Sequence, residues 1–524
     1  MKTINELTLD EKLGQLLMVG FHATNLDDHI IEAIKKHKIG NVILFARNIK
    51  SAKQLFELNK KLQQLAKEEL DVPLFISVDQ EGGMVTRIFN DATFYPGNMT
   101  VGATNNSNYT YQIGQKMGQE LRTLGINMNL APDLDVNNNL KNPVIGVRSY
   151  SDDPFKVATF GSNFIEGLQE EGVIATGKHF PGHGDTSVDS HLDLTTVKHD
   201  KERLHDVELV PFKKAISSGI KAIMSAHVTF PAYEPDQLPA TLSKRVLTGL
   251  LREELGYEGL IVTDCMQMKA IDTYYGTEKA SVMAIEAGAN MLCISHSLEK
   301  QVGSLEQLKQ AVKDGRLNER YIDQLVGTIL AYKKETLEQV DRLTQSNYID
   351  IKDQIIVEEH KKFAQRVTDE AVTQYKGTPF KESGRVLFIG TEPFATTIAD
   401  DQVKNKSVID EINEQFPHWQ IEKMSVRPDE NEIKTLSEKA KNYDQVVITS
   451  YNANIFESQA KLVQEISEQH EEVHVIATRN PYDVLFFNVK HYVCLYEYTP
   501  NSINSLVKYL KGELNIKGQM PVNL

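Results

Sequence analysis

The chain has 524 residues, 41% of them hydrophobic and 25% charged, and a formal charge of −15 at neutral pH. That length exceeds what one hydrophobic core ordinarily serves, and the acidic balance disfavours nucleic acid or an anionic membrane as partner, because phosphate recognition needs a concentrated basic surface. No apolar run approaches the ~20 residues that cross a bilayer, and Cys265, Cys293 and Cys494, widely spaced and without CxxC spacing, argue against a disulfide framework or a structural zinc site. The N-terminus carries neither an apolar signal core nor a lipidation cysteine, so the expected compartment is the cytoplasm.

In chain order, eight short apolar or β-branched runs alternate with longer amphipathic stretches. The runs are Gln15 to Gly20, Gly40 to Phe45, Pro73 to Asp79, Ile126 to Asp133, Val173 to His179, Ile220 to His227, Gly259 to Asp264 and Ala289 to Ser295. Between them, Ser51 to Glu69, Asn108 to Leu124, Asp153 to Glu171, Lys201 to Ser218 and Ser243 to Leu255 place apolar residues three and four apart, as helices do. The alternation predicts an α/β fold whose N-terminal part is a (β/α)8 barrel. Asp79, Asp133, His179, His227, Asp264 and Ser295 each stand at or just past the C-terminal end of a run, and in a barrel those ends share one mouth. Helical stretches follow to about Leu337. The expected division is a barrel with trailing helices over 1–340, a polar connector over 341–353, and a C-terminal α/β sandwich over 354–524. Its parallel strands are expected at Arg385 to Gly390, Val446 to Ser450, Val473 to Thr478 and Tyr492 to Tyr496. The second half holds no GxGxxG or GxxxxGK[ST] loop, so no nucleotide site is expected there.

The segment Lys178 to His191 follows the fifth run and packs three histidines, two aspartates and a lysine into fourteen residues. That density is hard to explain by packing, although a histidine such as His183 serves equally well to satisfy loop carbonyls. Metal ligation is disfavoured: there is no HExxH, and Lys178 would set a positive charge beside a cation. Further polar clusters are Asp79-Gln80-Glu81-Gly82-Gly83 with Arg87, Arg148-Ser149-Tyr150, and Asp264 ahead of Met266 and Met268. Each aspartate alone is as readily a helix cap. Together the clusters supply what glycoside transfer needs: a carboxylate to attack the anomeric carbon, a proton donor for the departing oxygen, and charged groups to grip hydroxyls. A histidine held by an aspartate can replace the usual second carboxylic acid as donor. Asp264 must be ionised to attack, and Lys178 or Arg148 beside it would favour that form. The asparagine-rich stretch from Asn137 to Lys141 reads as a surface connection.

Three motifs in order, SVDQEGG at Ser77 to Gly83, KHFPGHGDTSVDSH at Lys178 to His191 and VTDCMQMKAI at Val262 to Ile271, resemble glycoside hydrolase family 3 in its β-N-acetylglucosaminidase branch. The resemblance runs from Leu7 to about Leu298 and continues more weakly to Val522. It implies Asp264 as nucleophile, His191 as acid/base with Asp189 as its polarising partner, and Asp79, Arg87, Arg148, Lys178 and His179 as substrate-binding residues, with no metal and no cofactor. It further implies a retaining hydrolase of terminal β-linked N-acetylglucosamine. The substrate would be a small saccharide, including peptidoglycan fragments in which N-acetylmuramic acid comes next, as in cell-wall recycling. Phosphorolysis stays open because a histidine tolerates an incoming phosphate. A β-glucosidase is less consistent with the Asp189-Ser190-His191 triplet, and an idle sugar-binding protein with an intact catalytic set. Every residue with an implied chemical role precedes Ser295, which frees the C-terminal domain from an obligate chemical part. Met84 departs from the arginine common in the family, and the oligomeric state is left unassigned.

Overall fold

A computed structural model describes residues 1–186, 194–355, 357–392 and 407–524. Eight strands make the first sheet: β1 (Leu17–Val19), β2 (Asn41–Leu44), β3 (Phe75–Val78), β4 (Met128–Asn129), β5 (Ile174–Phe180), β6 (Ala222–Ser225), β7 (Leu260–Thr263) and β8 (Leu292–Ile294). Each lies in one of the eight apolar runs, β5 passing the end of its run by one residue, Phe180. Neighbours pair in parallel in the order β8-β1-β2-β3-β4-β5-β6-β7, and a bridge between Val262 and Met291 brings β7 against β8, closing a (β/α)8 barrel. The strands are buried on both faces, which is why they read as continuous apolar runs instead of alternating ones.

Helices return the chain between strands. Ala52–Glu69 starts on Ser51, whose hydroxyl accepts the Gln54 N–H, and Pro154–Glu170 starts on Asp153 with Pro154 in the first turn. The stretch Lys201 to Ser218 divides into Lys201–Asp206 and Val210–Ser217. Pro211 accounts for the break, since it is tolerated in a first turn but clashes inside a continuing helix. Arg245–Glu254 winds with wider π-type hydrogen bonding. At the end away from the mouth, the Lys333 ammonium is fully buried and donates to Gln15 Oε1 (2.6 Å) and the Gly40 carbonyl (2.7 Å). Burial pushes its pKa well below the ordinary lysine value.

The second sheet holds β9 (Thr373–Lys376), β10 (Val386–Thr391), β11 (Gln420–Met424), β12 (Gln445–Ser450), β13 (Val473–Ala477) and β14 (His491–Cys494), ordered β9-β14-β13-β12-β10-β11. Four strands match expected runs and pair in parallel. The sheet is nevertheless mixed, because β9 runs antiparallel to β14. Both strands missed by sequence, β9 and β11, lie at edges, where Thr-Gln-Tyr-Lys and Gln-Ile-Glu-Lys-Met offer no apolar run.

The stretch read as a polar connector is folded. Helix Leu337–Gln345 and a turn of helix at Tyr348–Ile351 lie on the barrel, with Leu343 buried against Gly125 and Gln339 donating to the Ile126 carbonyl (2.9 Å). The two cores also interlock. Met84, Met99, Ala103 and Val147, from barrel loops, belong to the apolar cluster of the second sheet, and Phe363, Ala364 and Val367, from helix Glu358–Ala371, belong to that of the barrel. No helix of the described residues is long and apolar enough to cross a membrane.

Asp483 lies fully buried beyond β13 and accepts from the Ser450 hydroxyl (2.7 Å) and the Asn454 N–H (3.1 Å). Burial outweighs these donors and raises its pKa from 3.8 to about 6. The folded state therefore holds a proton that the unfolded state releases near pH 4, so stability from this group is present at low pH and is lost as pH rises through about 6. Between about pH 4 and pH 6.5, wild type is expected to lose about 2 kcal/mol relative to Asp483→Asn, as measured by urea unfolding. Parallel pH dependences would contradict this.

Candidate active site

Past the C-terminal ends of the barrel strands opens a cavity of about 480 Å³. Asp79 enters it from the end of β3, Lys178 and His179 from β5, Asp264 from the end of β7 and Ser295 from the end of β8. Arg87 and Arg148 come in on the loops after β3 and β4. Six of the eight residues singled out from sequence thus meet in one cavity. The other two, Asp189 and His191, lie outside the described residues.

A residue not singled out for a role organises the charges. Glu81, nearly sealed from solvent, accepts from Arg148 Nε (3.0 Å) and Nη2 (2.8 Å) and stands 2.7 Å from the Lys178 ammonium. Lys178 also donates to Asp79 Oδ1 (2.8 Å), while Arg87 Nη2 lies 3.8 Å from Asp79 Oδ2. Burial alone would raise the Glu81 pKa, but the two cations overcome it and hold the carboxylate ionised, well below its usual range. Burial likewise works against the charged forms of Lys178 and Arg148, and the surrounding carboxylates more than restore them. The expectation that Lys178 and Arg148 serve Asp264 thus needs amending, since both are engaged by Glu81. The signal for Glu81 was its place two residues past Asp79 in a glycine-bounded loop, where a buried anion has to answer buried cations.

A second layer lies behind this one. Asp135 accepts from the backbone N–H of His183 (2.6 Å) and pairs with His179 Nδ1 (2.7 Å). Burial raises its pKa, and the two histidines bring it down below the ordinary value. Asp133 stands 3.6 Å from Arg148 Nη2, fully buried; desolvation, reinforced by Asp135, pushes its pKa well up against the pull of Arg148. Asp133 and His227, expected at the mouth, sit behind the lining instead. His227 contacts the Thr241 hydroxyl (2.9 Å) and the Cys265 carbonyl (3.0 Å).

Asp264 Oδ1 accepts the Cys265 N–H (2.7 Å), which fixes the plane of its carboxylate. Met268 and Met224 line the apolar side of the cavity, whereas Met266 is turned into the core. Within the long loop, His183 contacts Thr186 Oγ1 (2.8 Å) and packs edge-on to His179, and Asp185 pairs with His199, so both serve the loop's own architecture.

The asparagine-rich stretch is more than a surface connection: Asn137 and the following Asn142 are buried, while residues 138–140 are partly exposed and Lys141 is exposed. Asn142 Nδ2 donates to the carbonyls of His183 (2.9 Å) and Gly184 (2.8 Å). A Cβ on Gly184 would stand 1.7 Å from the Val136 carbonyl oxygen, so only glycine permits this approach. On the other side Asn137 Nδ2 donates to the Tyr482 hydroxyl (3.1 Å), and Asn454 Nδ2 to the Leu140 carbonyl (2.9 Å), both partners belonging to the second sheet's loops.

Comparison with known proteins fits this architecture. The profile of the glycosyl hydrolase family 3 N terminal domain matches residues 8–331. The chain belongs to glycoside hydrolase family 3. Over 99% of both chains it superposes, with 40% identity and a TM-score of 0.91, on a family 3 β-N-acetylglucosaminidase from Paenibacillus sp. str. FPU-7. It is 34% identical over 379 residues to beta-hexosaminidase A of Pseudoalteromonas piscicida, covering 65% of this chain but only 63% of that relative's length. A beta-hexosaminidase of Nitrosomonas eutropha is 32% identical over 345 residues, 63% of this chain and 97% of that protein.

Removing the anion between two buried cations defines a test. Glu81→Gln is expected to cost about 3–5 kcal/mol of stability, as breaking one partner of a buried pair does, and to raise KM by releasing Lys178 and Arg148. Unfolding midpoints and KM check it, and a variant matching wild type in both would show that Glu81 is dispensable.

Proposed function

We propose that the protein is a retaining β-N-acetylglucosaminidase that removes terminal β-linked N-acetylglucosamine from small saccharides, including peptidoglycan fragments in which N-acetylmuramic acid follows, as in cell-wall recycling. The observation that carries this reading is the convergence of Asp264 with Asp79, Arg87, Arg148, Lys178 and His179 on one cavity in a family 3 barrel. The 40% identity to a β-N-acetylglucosaminidase over nearly the whole of both chains supports the choice of sugar.

In this mechanism Asp264 attacks the anomeric carbon while the glycosidic oxygen departs, giving a covalent glycosyl ester. Water then attacks the same carbon and frees Asp264, so the configuration is retained. Asp79 and Lys178 hold sugar hydroxyls, and Arg87, Arg148 and His179 complete the grip. His191, polarised by Asp189, protonates the departing oxygen in the first step and takes the proton from water in the second. One feature of the cavity supports a histidine in that part: Glu81 is held ionised by Lys178 and Arg148, which unfits it as a proton donor.

The test is turnover of a nitrophenyl β-N-acetylglucosaminide and of a disaccharide with the same sugar. Asp264→Asn is expected to lose several orders of magnitude, and a fluorinated substrate analogue to label Asp264; a label on another carboxylate refutes the assignment. His191→Ala is expected to slow the disaccharide by about 10²–10⁴-fold. The nitrophenyl substrate should suffer less, and azide should restore its rate by forming the β-glycosyl azide. Equal losses on both substrates without azide rescue would make His191 a binding residue. A sugar 1-phosphate appearing when phosphate is added would identify a phosphorylase instead.

A further inference from the structure

Two of the three cysteines sit together in the cavity wall, on the segments that follow β7 and make up β8. Cys265 is the residue next to Asp264, half-buried, and Cys293 is almost fully buried beside it. The backbones are tied here, with Met266 N–H donating to the Cys293 carbonyl (2.8 Å) and Cys293 N–H to Thr263 Oγ1 (3.0 Å). Adjacent strands run about 4.8 Å apart, inside the roughly 4.4–6.8 Å between α-carbons that a disulfide spans.

The two thiols differ in character. The hydrogen bond from Cys293 pulls the Cys265 pKa well below the ordinary thiol value against the effect of burial, helped by His296, Ser295 and the Gln267 backbone. The same contact, with burial, pushes Cys293 well up, so Cys293 keeps the proton. A half-buried thiol of lowered pKa in a cavity wall, backed by a buried thiol of raised pKa, is the arrangement of an attacking and a resolving cysteine.

We propose that Cys265 and Cys293 form a peroxide-reactive dithiol site in the cavity wall, whose oxidation to an intramolecular disulfide shifts the Asp264 segment and halts turnover. The Cys265 thiolate attacks a peroxide oxygen, breaking the O–O bond; Cys265 becomes a sulfenic acid and the released hydroxide is protonated to water. The Cys293 sulfur then attacks the Cys265 sulfur, forming the S–S bond and expelling a second water. Two thiols lose two electrons in all, and one peroxide is reduced to two waters. The disulfide draws the Cys265 sulfur from hydrogen-bonding to bonding distance of the Cys293 sulfur, within the cavity wall that both line. Because the Cys265 N–H is the donor to Asp264 Oδ1, the shift is passed to that carboxylate directly.

The chemistry of the site is independent of the substrate assigned above; only the activity readout rests on it. The full chain is treated with hydrogen peroxide, alkylated after unfolding, digested and analysed by mass spectrometry, and turnover of the nitrophenyl sugar is followed in parallel. The expected result is a peptide joining Cys265 to Cys293 with Cys494, buried in the second core, recovered as alkylated thiol. Turnover should fall on the order of a hundredfold, the cost of misplacing a reacting group by about an ångström, and return with dithiothreitol. In Cys293→Ala, Cys265 is expected to proceed to sulfinic acid, and dithiothreitol no longer restores activity. Recovery of all three cysteines as alkylated thiols after peroxide overturns the proposal. So does a Cys265→Ala variant that loses the same fraction of its own untreated activity, or a disulfide that leaves turnover unchanged. A protein that never turns over the nitrophenyl sugar overturns the activity assigned above, and the peptide map still decides the disulfide.

Discussion

The mouth of the barrel depends on one buried anion. Glu81 lies between Arg148 and Lys178, and without it two cations would be sealed in a low-dielectric site with too little negative charge to answer them. Its position is fixed from outside the charge network. Asn129, at the end of β4, makes reciprocal bonds with the backbone of Gln80, and the Gln80 side chain accepts the Arg87 N–H. The glycine-bounded loop after β3 thereby positions an acid and an arginine together, and the strand ends of β3 and β5 meet through Lys178. The groups proposed to grip the sugar form a single electrostatic unit.

The barrel was legible because parallel strands buried on both faces leave unbroken apolar runs, and all eight were visible. The strands at the edges of the second sheet were not, since Thr373–Lys376 and Gln420–Met424 carry polar side chains toward solvent. Site residues were legible where they follow a strand end, as Asp79, Lys178, His179 and Asp264 do. Sequence position could not separate those facing the cavity from Asp133 and His227, one layer deeper, because depth depends on how far each loop folds back. Nor could it show Asn137 and Asn142 as buried, since asparagines that satisfy loop carbonyls have the composition of a solvated turn. Glu81 was passed over for a similar reason: an acid is as common on a surface as between two cations.

Among the described residues the second sheet and its loops contribute none to the cavity lining, yet the mouth is built against them. Met84, where the family commonly has arginine, is packed in the second core, and its sulfur accepts the Tyr498 N–H (3.4 Å). Glu497, beyond β14, accepts from the Gly97 N–H (2.6 Å) and the Thr100 hydroxyl (2.7 Å), and Asn98 Nδ2 donates in turn to the Arg148 carbonyl (2.6 Å). The loops after β3 and β4, which deliver Arg87 and Arg148, are therefore braced by the second half of the chain. The second half is thus part of how the mouth is held.

The same logic extends to the long loop after β5. Its described beginning is held at three points: His179 and His183 on Asp135, Asn142 under the carbonyls of His183 and Gly184, and Gly184 pressed on the Val136 backbone. Asn142 is continuous with Asn137 and Leu140, which meet Tyr482 and Asn454 of the second half. On the proposed mechanism, the residues that follow Thr186 carry the proton donor. The proton must reach an oxygen at hydrogen-bonding distance. The residues from His179 to Gly184 are thus anchored by both halves of the chain, ahead of the segment to which the mechanism assigns the donor.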